Sequence, residues 1–362
     1  MSSAAAACAA YLKRRHYFRI FYNMRMLQEL FARALDNMSY SYMGTQKKRR
    51  GGETFFIGAL EEYLEDRALD DPRAFFRNPG TVPEIAMLDA VRRGTYDIHK
   101  LRFQSFIESP HQFNDRVHFR FYERHGEPDA PAVIVLHGYR MENYLVFDRY
   151  CRLMVRRGYN AALVDLPYHM SRRPPGTYHG EFTFSDDGVL TLRVMQQSVL
   201  DIMAVINWLK QRGAPQIGMF GVSYGGMLSG LMACVEPQVD FTIMVAPPAD
   251  MGEVFFESRL GRQFEAENPR AREVLTKYRG VLDRFALVNL KPLVATENIL
   301  LIEGIYDGMV PVPLIEKLWR AWGEPEIRRY PQGHLSVIIL NPPMDRHLRA
   351  FLNKMRRKAK GA

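Results

Sequence analysis

Cysteine is scarce in this sequence: Cys8, Cys151 and Cys234 are the three among 362 residues. An odd, sparse set makes no disulfide framework. No CxxC pair or Cys/His cluster has zinc spacing, which excludes the common structural zinc sites. Sparse thiols fit a reducing compartment. Long apolar runs are lacking too. No stretch approaches the ~18 apolar residues of a membrane-spanning helix. The Ala-rich start, Met1 to Ala10, has no basic region ahead of an apolar core and does not read as a secretory signal. There is no repeat of fixed period and no long linker-like tract.

Acidic residues are scarce at the two ends. Residues 1–50 carry ten Lys/Arg against Glu29 and Asp36, and residues 346–362 carry seven Lys/Arg and no acid. The rest of the chain is mildly acidic, although the net charge is +9. The basic balance therefore describes the ends and not the body. Basic ends suit nucleic acid or an anionic membrane, and equally suit solvated helix faces. No nucleic-acid-binding motif accompanies them, so nucleic acid is not expected as a partner.

With 47% hydrophobic residues, the chain can bury one large core with insertions or a helical extension. Residues 11–38 read as an amphipathic helix, broken near Asn23, with Ile20, Met24, Leu27, Leu30, Phe31 and Ala34 at helical spacing. Phe18, Ile20, Phe21, Leu27, Leu30 and Phe31 are numerous enough to pack, which speaks against a transit peptide despite the lack of acids before Glu29. A second helical piece is expected at 55–66. From about residue 96 the pattern changes. Leu101–Phe106 and Val117–Tyr122 alternate apolar with polar, as half-buried antiparallel strands do. Uniformly apolar strands follow at 133–136, 161–164, 217–220, 241–245 and 299–302, with another strand at 326–330. Helices are expected between them and at 344–358. This alternation predicts an α/β fold: a mostly parallel sheet with an antiparallel N-terminal edge and helices on both faces. The expected organisation is a basic helical extension over 1–95 and a catalytic domain over 96–358. About fifty residues, 247–297, separate two strands, and they read as a helical cap. Met251, Phe255, Phe256, Phe264 and Phe285 could roof a site with apolar surface.

Ligands collect at the carboxyl ends of such strands, and the unusual residues fall there. Gly221-Val-Ser-Tyr-Gly225, followed by Gly226, lies between an apolar strand and a Gly-opened helix. A sharp strand-to-helix turn needs small flanking residues and presents Ser223 as a nucleophile. A serine needs a base and an orienting acid. His334 and His347 are the histidines downstream, and His334 lies in a loop after a short strand whereas His347 lies in an Arg-rich helix. Asp307 ends the strand before it, and Asp250 is the rival acid. Asp307 is preferred because one helix and one strand separate it from His334, giving the order Ser, Asp, His. The amide of Tyr224 would supply one oxyanion donor. The loop His137-Gly-Tyr-Arg140 would supply the second, from Tyr139 or next from Arg140. Such a cycle calls for no metal, nucleotide or flavin. Asp165 precedes the serine and reads as structural. His169, His179, Arg172 and Arg173 lie in a loop near the site, where exposed surface positions are the default. Trp319 and Trp322 share a helix face as core residues do.

Taken together, His137-Gly138, Gly221–Gly226, Tyr306-Asp-Gly-Met-Val-Pro311 and Gln332-Gly-His-Leu-Ser336 resemble the α/β-hydrolase superfamily over roughly 96–358. Asp165–Pro174, Lys317-Leu-Trp319 and Glu326–Ser336 resemble, within it, the α/β-hydrolase domain containing protein 18 group. The resemblance implies hydrolysis of an ester, amide or thioester through an acyl-enzyme. The expectation is a serine esterase acting on a small-molecule or lipid ester. A peptidase, an acyltransferase and a non-catalytic scaffold are the alternatives. It is expected to be cytoplasmic, meeting an anionic membrane peripherally through Lys13, Arg14, Arg15, Arg19 and Arg25.

Overall fold

Strands that are apolar throughout must be covered on both faces, and in the computed structural model of this chain they are. The structure describes residues 25–46, 65, 67–185, 187–267, 270–339 and 341–361. Among the described residues, nine strands form one sheet: β1 (Ala86–Arg93), β2 (Tyr96–Gln104), β3 (Arg116–Arg124), β4 (Ala132–Leu136), β5 (Asn160–Val164), β6 (Ile217–Val222), β7 (Phe241–Val245), β8 (Ile299–Gly304) and β9 (Glu326–Tyr330). Their order is β1-β2-β3-β5-β4-β6-β7-β8-β9. The pairs β1–β2, β2–β3 and β3–β5 are antiparallel, and the pairs from β5–β4 to β8–β9 are parallel. The expected α/β fold with an antiparallel N-terminal edge is therefore present. The edge has one strand more than the pattern indicated. β1 is almost wholly exposed, and an edge strand that buries nothing carries no hydrophobic period to read.

Helices occupy both faces. They are α1 over 25–45, α2 (Pro72–Phe75), α3 (Leu145–Arg156), α4 (Gly188–Gln211), α5 (Tyr224–Val235), α6 (Met251–Glu257), α7 (Arg259–Glu267), α8 (Ala271–Phe285), α9 (Val312–Ala321), α10 (Ser336–Ile339) and α11 (Pro342–Gly361). Strand alternation divides the core in two. Ile134 and Leu136 pack with α4 and α5, whereas Val133 and Val135 pack with α3 and α11. By length and apolar composition α4 could cross a membrane, but 78% of its most apolar window is buried inside the chain. It is the central core helix. Apart from Glu65, the helix expected at 55–66 lies outside the described residues, as do the residues before 25.

α1 reverses an expectation. The stripe read as packing is exposed: Leu27, Leu30 and Phe31 are 61, 57 and 50% accessible. The buried face is Ala32, Asp36, Tyr40 and Met43 instead. These four also follow helical spacing, but only two of them are strongly apolar, so the other stripe dominated the pattern.

Candidate active site

Ser223 joins β6 to α5 with φ 54° and ψ −120°, a conformation L-residues adopt only under constraint. The constraint is visible. The Ser223 amide donates to the Val245 carbonyl at 2.8 Å, and its carbonyl accepts from the Met227 amide at 2.9 Å. A Cβ on Gly221 would run into the Gly225 backbone, and one on Gly225 into the Leu136 and His137 carbonyls. Both glycines are therefore required by the close approach of the turn to its neighbours. Arg140, Tyr168, Met170 and Ala246 also have positive φ, and like Ser223 they follow strands β4 to β7. Strain thus gathers at one end of the sheet.

His334 and Asp307 meet at that end. The imidazole Nδ1 lies 2.7 Å from Asp307 Oδ2, with both side chains buried. Facing a carboxylate fixes the proton on Nδ1 and leaves Nε2 unprotonated and basic. Asp307 is itself aimed: its Oδ1 accepts from the amides of Met309 at 2.8 Å and Val310 at 2.9 Å. Burial opposes a charged imidazole, but the attraction of Asp307, its hydrogen bond and the nearby Asp36 outweigh it, so the His334 pKa is raised.

The alternatives go elsewhere. Asp250 caps α6, accepting from the Glu253 amide at 3.0 Å. His347 Nδ1 contacts the Tyr330 hydroxyl at 2.6 Å. Asp165 accepts from the Tyr144 hydroxyl and the Ser171 amide, and burial pushes its pKa up to about 6. Trp319 and Trp322 donate to backbone carbonyls and pack against the core. Arg172 is not an exposed loop residue. It is fully buried, pairs with Asp201 at 2.9 Å, and donates to the carbonyls of Asn114 and Asp165. It welds loop, sheet and α4 together and faces no substrate.

The loop after β4 is braced by histidines. His137 Nε2 accepts from the Leu166 amide at 3.1 Å, and His169 Nε2 accepts from the Arg140 amide at 3.0 Å. Their Nδ1 atoms donate to the carbonyls of Gly138 and Pro167. Burial lowers both pKa values, that of His137 to about 4, so both rings are neutral scaffolding near neutral pH. His179 similarly accepts from the Met170 amide. The Arg140 amide is thereby engaged, which counts against Arg140 and in favour of Tyr139 as the expected donor from that loop. The Tyr224 amide begins α5, where the first amides have no partner within the helix.

Ser223 and His334 line one cavity of about 320 Å3, together with Gly138, Tyr139 and Arg140. Its walls are largely apolar: Met43, Met141, Val146, Leu260, Met309, Val310, Leu335, Ile338 and Ile339. The expected roof of cap phenylalanines lies aside. Phe255 and Phe264 pack together and line a small adjoining pocket, and Phe285 packs on Phe75 and Phe76. The cap contributes Leu260. The remaining cover comes from α1, through Ser39, Tyr42 and Met43.

α1 also supplies what the sequence motifs missed. Asp36 is buried, and Oδ2 accepts from the amides of Gly308 and His334, each at 3.0 Å, while Oδ1 accepts from Leu335 at 3.2 Å. The Tyr40 hydroxyl donates to the Gly308 carbonyl at 3.0 Å. Asp36 is one of two acids, with Glu29, in a segment with ten Lys/Arg, and that was the one available signal.

Known proteins share this architecture. Residues 110–263 match the family model described as alpha/beta hydrolase domain containing 18; the match includes Ser223 and the loop after β4 but stops short of Asp307 and His334. An uncharacterized protein of Mycobacterium tuberculosis, Rv2627c, is 28% identical over 316 residues, covering 82% of this chain and 73% of that protein. Among solved structures, acetyl xylan esterase from Paenibacillus sp. R4 superposes with a TM-score of 0.58 at 16% identity, covering 87% of this chain and 98% of that one. Acetyl xylan esterase 1 from a Thermoanaerobacterium species gives 0.56 at 18%, covering 80% and 94%. The Pyrococcus horikoshii acylaminoacyl peptidase gives 0.54 at 18%, covering 74% and 43%. At such identities the likeness is one of fold.

Proposed function

We propose that this chain, which has the α/β-hydrolase fold and matches the alpha/beta hydrolase domain containing 18 model over residues 110–263, is a serine esterase that cleaves carboxylic esters with an apolar acyl group. The observation that carries the reading is one cavity, mostly apolar, lined by both Ser223 and the His334 that Asp307 holds. His334 Nε2 takes the Ser223 hydroxyl proton as the oxygen attacks the ester carbonyl. The oxyanion accepts from the amides of Tyr139 and Tyr224. Collapse breaks the acyl C–O bond, and His334 returns the proton to the leaving alcohol. Water, deprotonated by the same nitrogen, then releases the acid and regenerates the serine.

A cavity of this size takes a medium acyl chain. Each added methylene that leaves water contributes about 0.8 kcal/mol, so kcat/KM on 4-nitrophenyl esters should climb up to about fourfold per methylene until the cavity fills. Anilides of the same acyl groups should turn over far more slowly. A best rate on acetate, or anilides cleaved as fast as esters, would sink the apolar-ester reading and favour the small-ester or peptidase alternative. Acyl transfer to an added alcohol at the expense of hydrolysis would favour the acyltransferase.

A lipid surface is the setting that α1 supports. Met26, Leu27, Leu30, Phe31 and Met38 are exposed on the helix whose inner side covers the cavity. Lys13, Arg14, Arg15 and Arg19 precede this helix in sequence, and Lys47, Lys48, Arg49 and Arg50 follow it. Apolar residues flanked by bases match an anionic bilayer. The protein should float with vesicles containing phosphatidylserine and lose that recovery when Leu27, Leu30 and Phe31 become serine. Equal recovery of both forms in the soluble fraction removes the membrane from this proposal.

A further inference from the structure

The base and acid sit on separate loops, after β9 and after β8, and neither loop alone sets the distance between them. The Asp307–His334 contact and the Tyr306 amide, which donates to the Gln332 carbonyl at 3.0 Å, join the two loops, and a further side chain from outside the hydrolase core grips both. Asp36 Oδ2 accepts simultaneously from the amide of His334 itself and from that of Gly308, the residue after the catalytic acid. Oδ1 extends the grip to Leu335. Gly308 is held on its carbonyl side as well, because that carbonyl accepts from the Tyr40 hydroxyl one turn along α1. The fit leaves no slack: a Cβ on Gly333 would lie 2.7 Å from Asp36 Oδ2. A carboxylate is suited to this task because both oxygens are acceptors and three N–H dipoles can converge on them.

We propose that Asp36 is a positioning residue of the triad, supplied by α1, which fixes the spacing of the Asp307 and His334 loops and so the aim of the imidazole at Ser223. This rests on the serine-esterase reading of the site. It makes α1 part of the catalytic apparatus and not merely its cover. Asparagine cannot replace it, since one of its two polar atoms is an NH2 that would confront a backbone N–H. Misplacement of a reacting group by about 1 Å costs on the order of a hundredfold in rate. The effect should fall on kcat, because Asp36 acts through His334.

The test compares the full-length protein with Asp36→Asn and, as a control on the exposed side of the same helix, Arg33→Ala. Steady-state hydrolysis of a 4-nitrophenyl ester gives kcat and KM across pH, urea unfolding gives stability, and NMR of 13C-histidine-labelled protein follows the His334 ring. Asp36→Asn should lose about a hundredfold in kcat, with KM little changed and with most of the protein folded. Its His334 should titrate at lower pH. The charged and titratable groups around that ring and its loops are Asp307, Asp36 and Tyr40, with Arg259 and Arg262 beside Tyr40, and Asp36→Asn removes one negative charge from this set. Arg33→Ala should match the wild type. A folded Asp36→Asn protein with wild-type kcat and an unmoved His334 titration overturns the proposal, as does a loss of activity that merely follows the unfolded fraction. If Asp36→Asn does not fold, Gly333→Ala presses on the same carboxylate from the other side, and wild-type kcat in that variant is equally fatal. If the wild-type protein hydrolyses no ester, it is the esterase reading that fails. The His334 titration then decides the positioning role alone.

Discussion

Ser223→Ala should lower ester turnover by about 10⁶-fold, to the level of the site without covalent catalysis. It should also abolish labelling by a fluorophosphonate, whose phosphorus needs an oxygen nucleophile. The expected effect is large because, in the proposed mechanism, the three side chains act as one unit: without the hydroxyl, neither the basic Nε2 of His334 nor the carboxylate behind it has a proton to move. What survives is binding and the oxyanion donors, worth about 10³–10⁴ over water. Stability should change little, since Ser223 is held by its backbone, through Val245 and Met227, and not by its side chain. Mapping the adduct by mass spectrometry checks the assignment. An adduct on another residue, or undiminished turnover by Ser223→Ala, rejects Ser223 as nucleophile.

Much of the geometry of this candidate site was legible because its signals are local. The glycines around Ser223 are demanded by contacts within a few residues or with the adjacent strand end, and a strand-turn-helix pattern carries them. Asp307 and His334 follow from chain order on a parallel sheet. The parts that were not legible depend on contacts across the whole chain. Asp36 meets the amides of Gly308, His334 and Leu335 from about 270 to 300 positions away, and no periodicity encodes such a partner. The same holds for Arg172. In sequence it is one of two adjacent loop arginines; in the fold Asp201 lies 2.9 Å from it and it is sealed from water. Hydrophobic pattern misled at α1 for a related reason. It reports which stripe is apolar, not which stripe finds a partner, and here a carboxylate and a tyrosine face inward because backbone amides and a carbonyl await them.

The orientation of Asp307 makes a second large effect predictable. Its Oδ1 is committed to two backbone donors, the amides of Met309 and Val310, and its Oδ2 to the His334 Nδ1–H. Asn at this position keeps its carbonyl oxygen on the two amides, because an NH2 there would face N–H groups. Its NH2 then turns to His334 and requires Nδ1 as an acceptor. The ring proton moves to Nε2, the atom that must be bare to receive the serine proton. Asp307→Asn should therefore reduce kcat by about 10⁴-fold with the geometry nearly intact. The pH profile separates this cause from simple disruption. A base works only when unprotonated, so kcat/KM falls as pH drops through the His334 pKa. In the wild type that pKa is raised above the ordinary 6.5, because Asp307 and Asp36 outweigh burial. Removing the Asp307 charge leaves burial with less opposition, so the acid limb should move to lower pH while the plateau falls. Asp307→Asn with an unmoved acid limb, or with a plateau within tenfold of the wild type, would show that another acid orients the base.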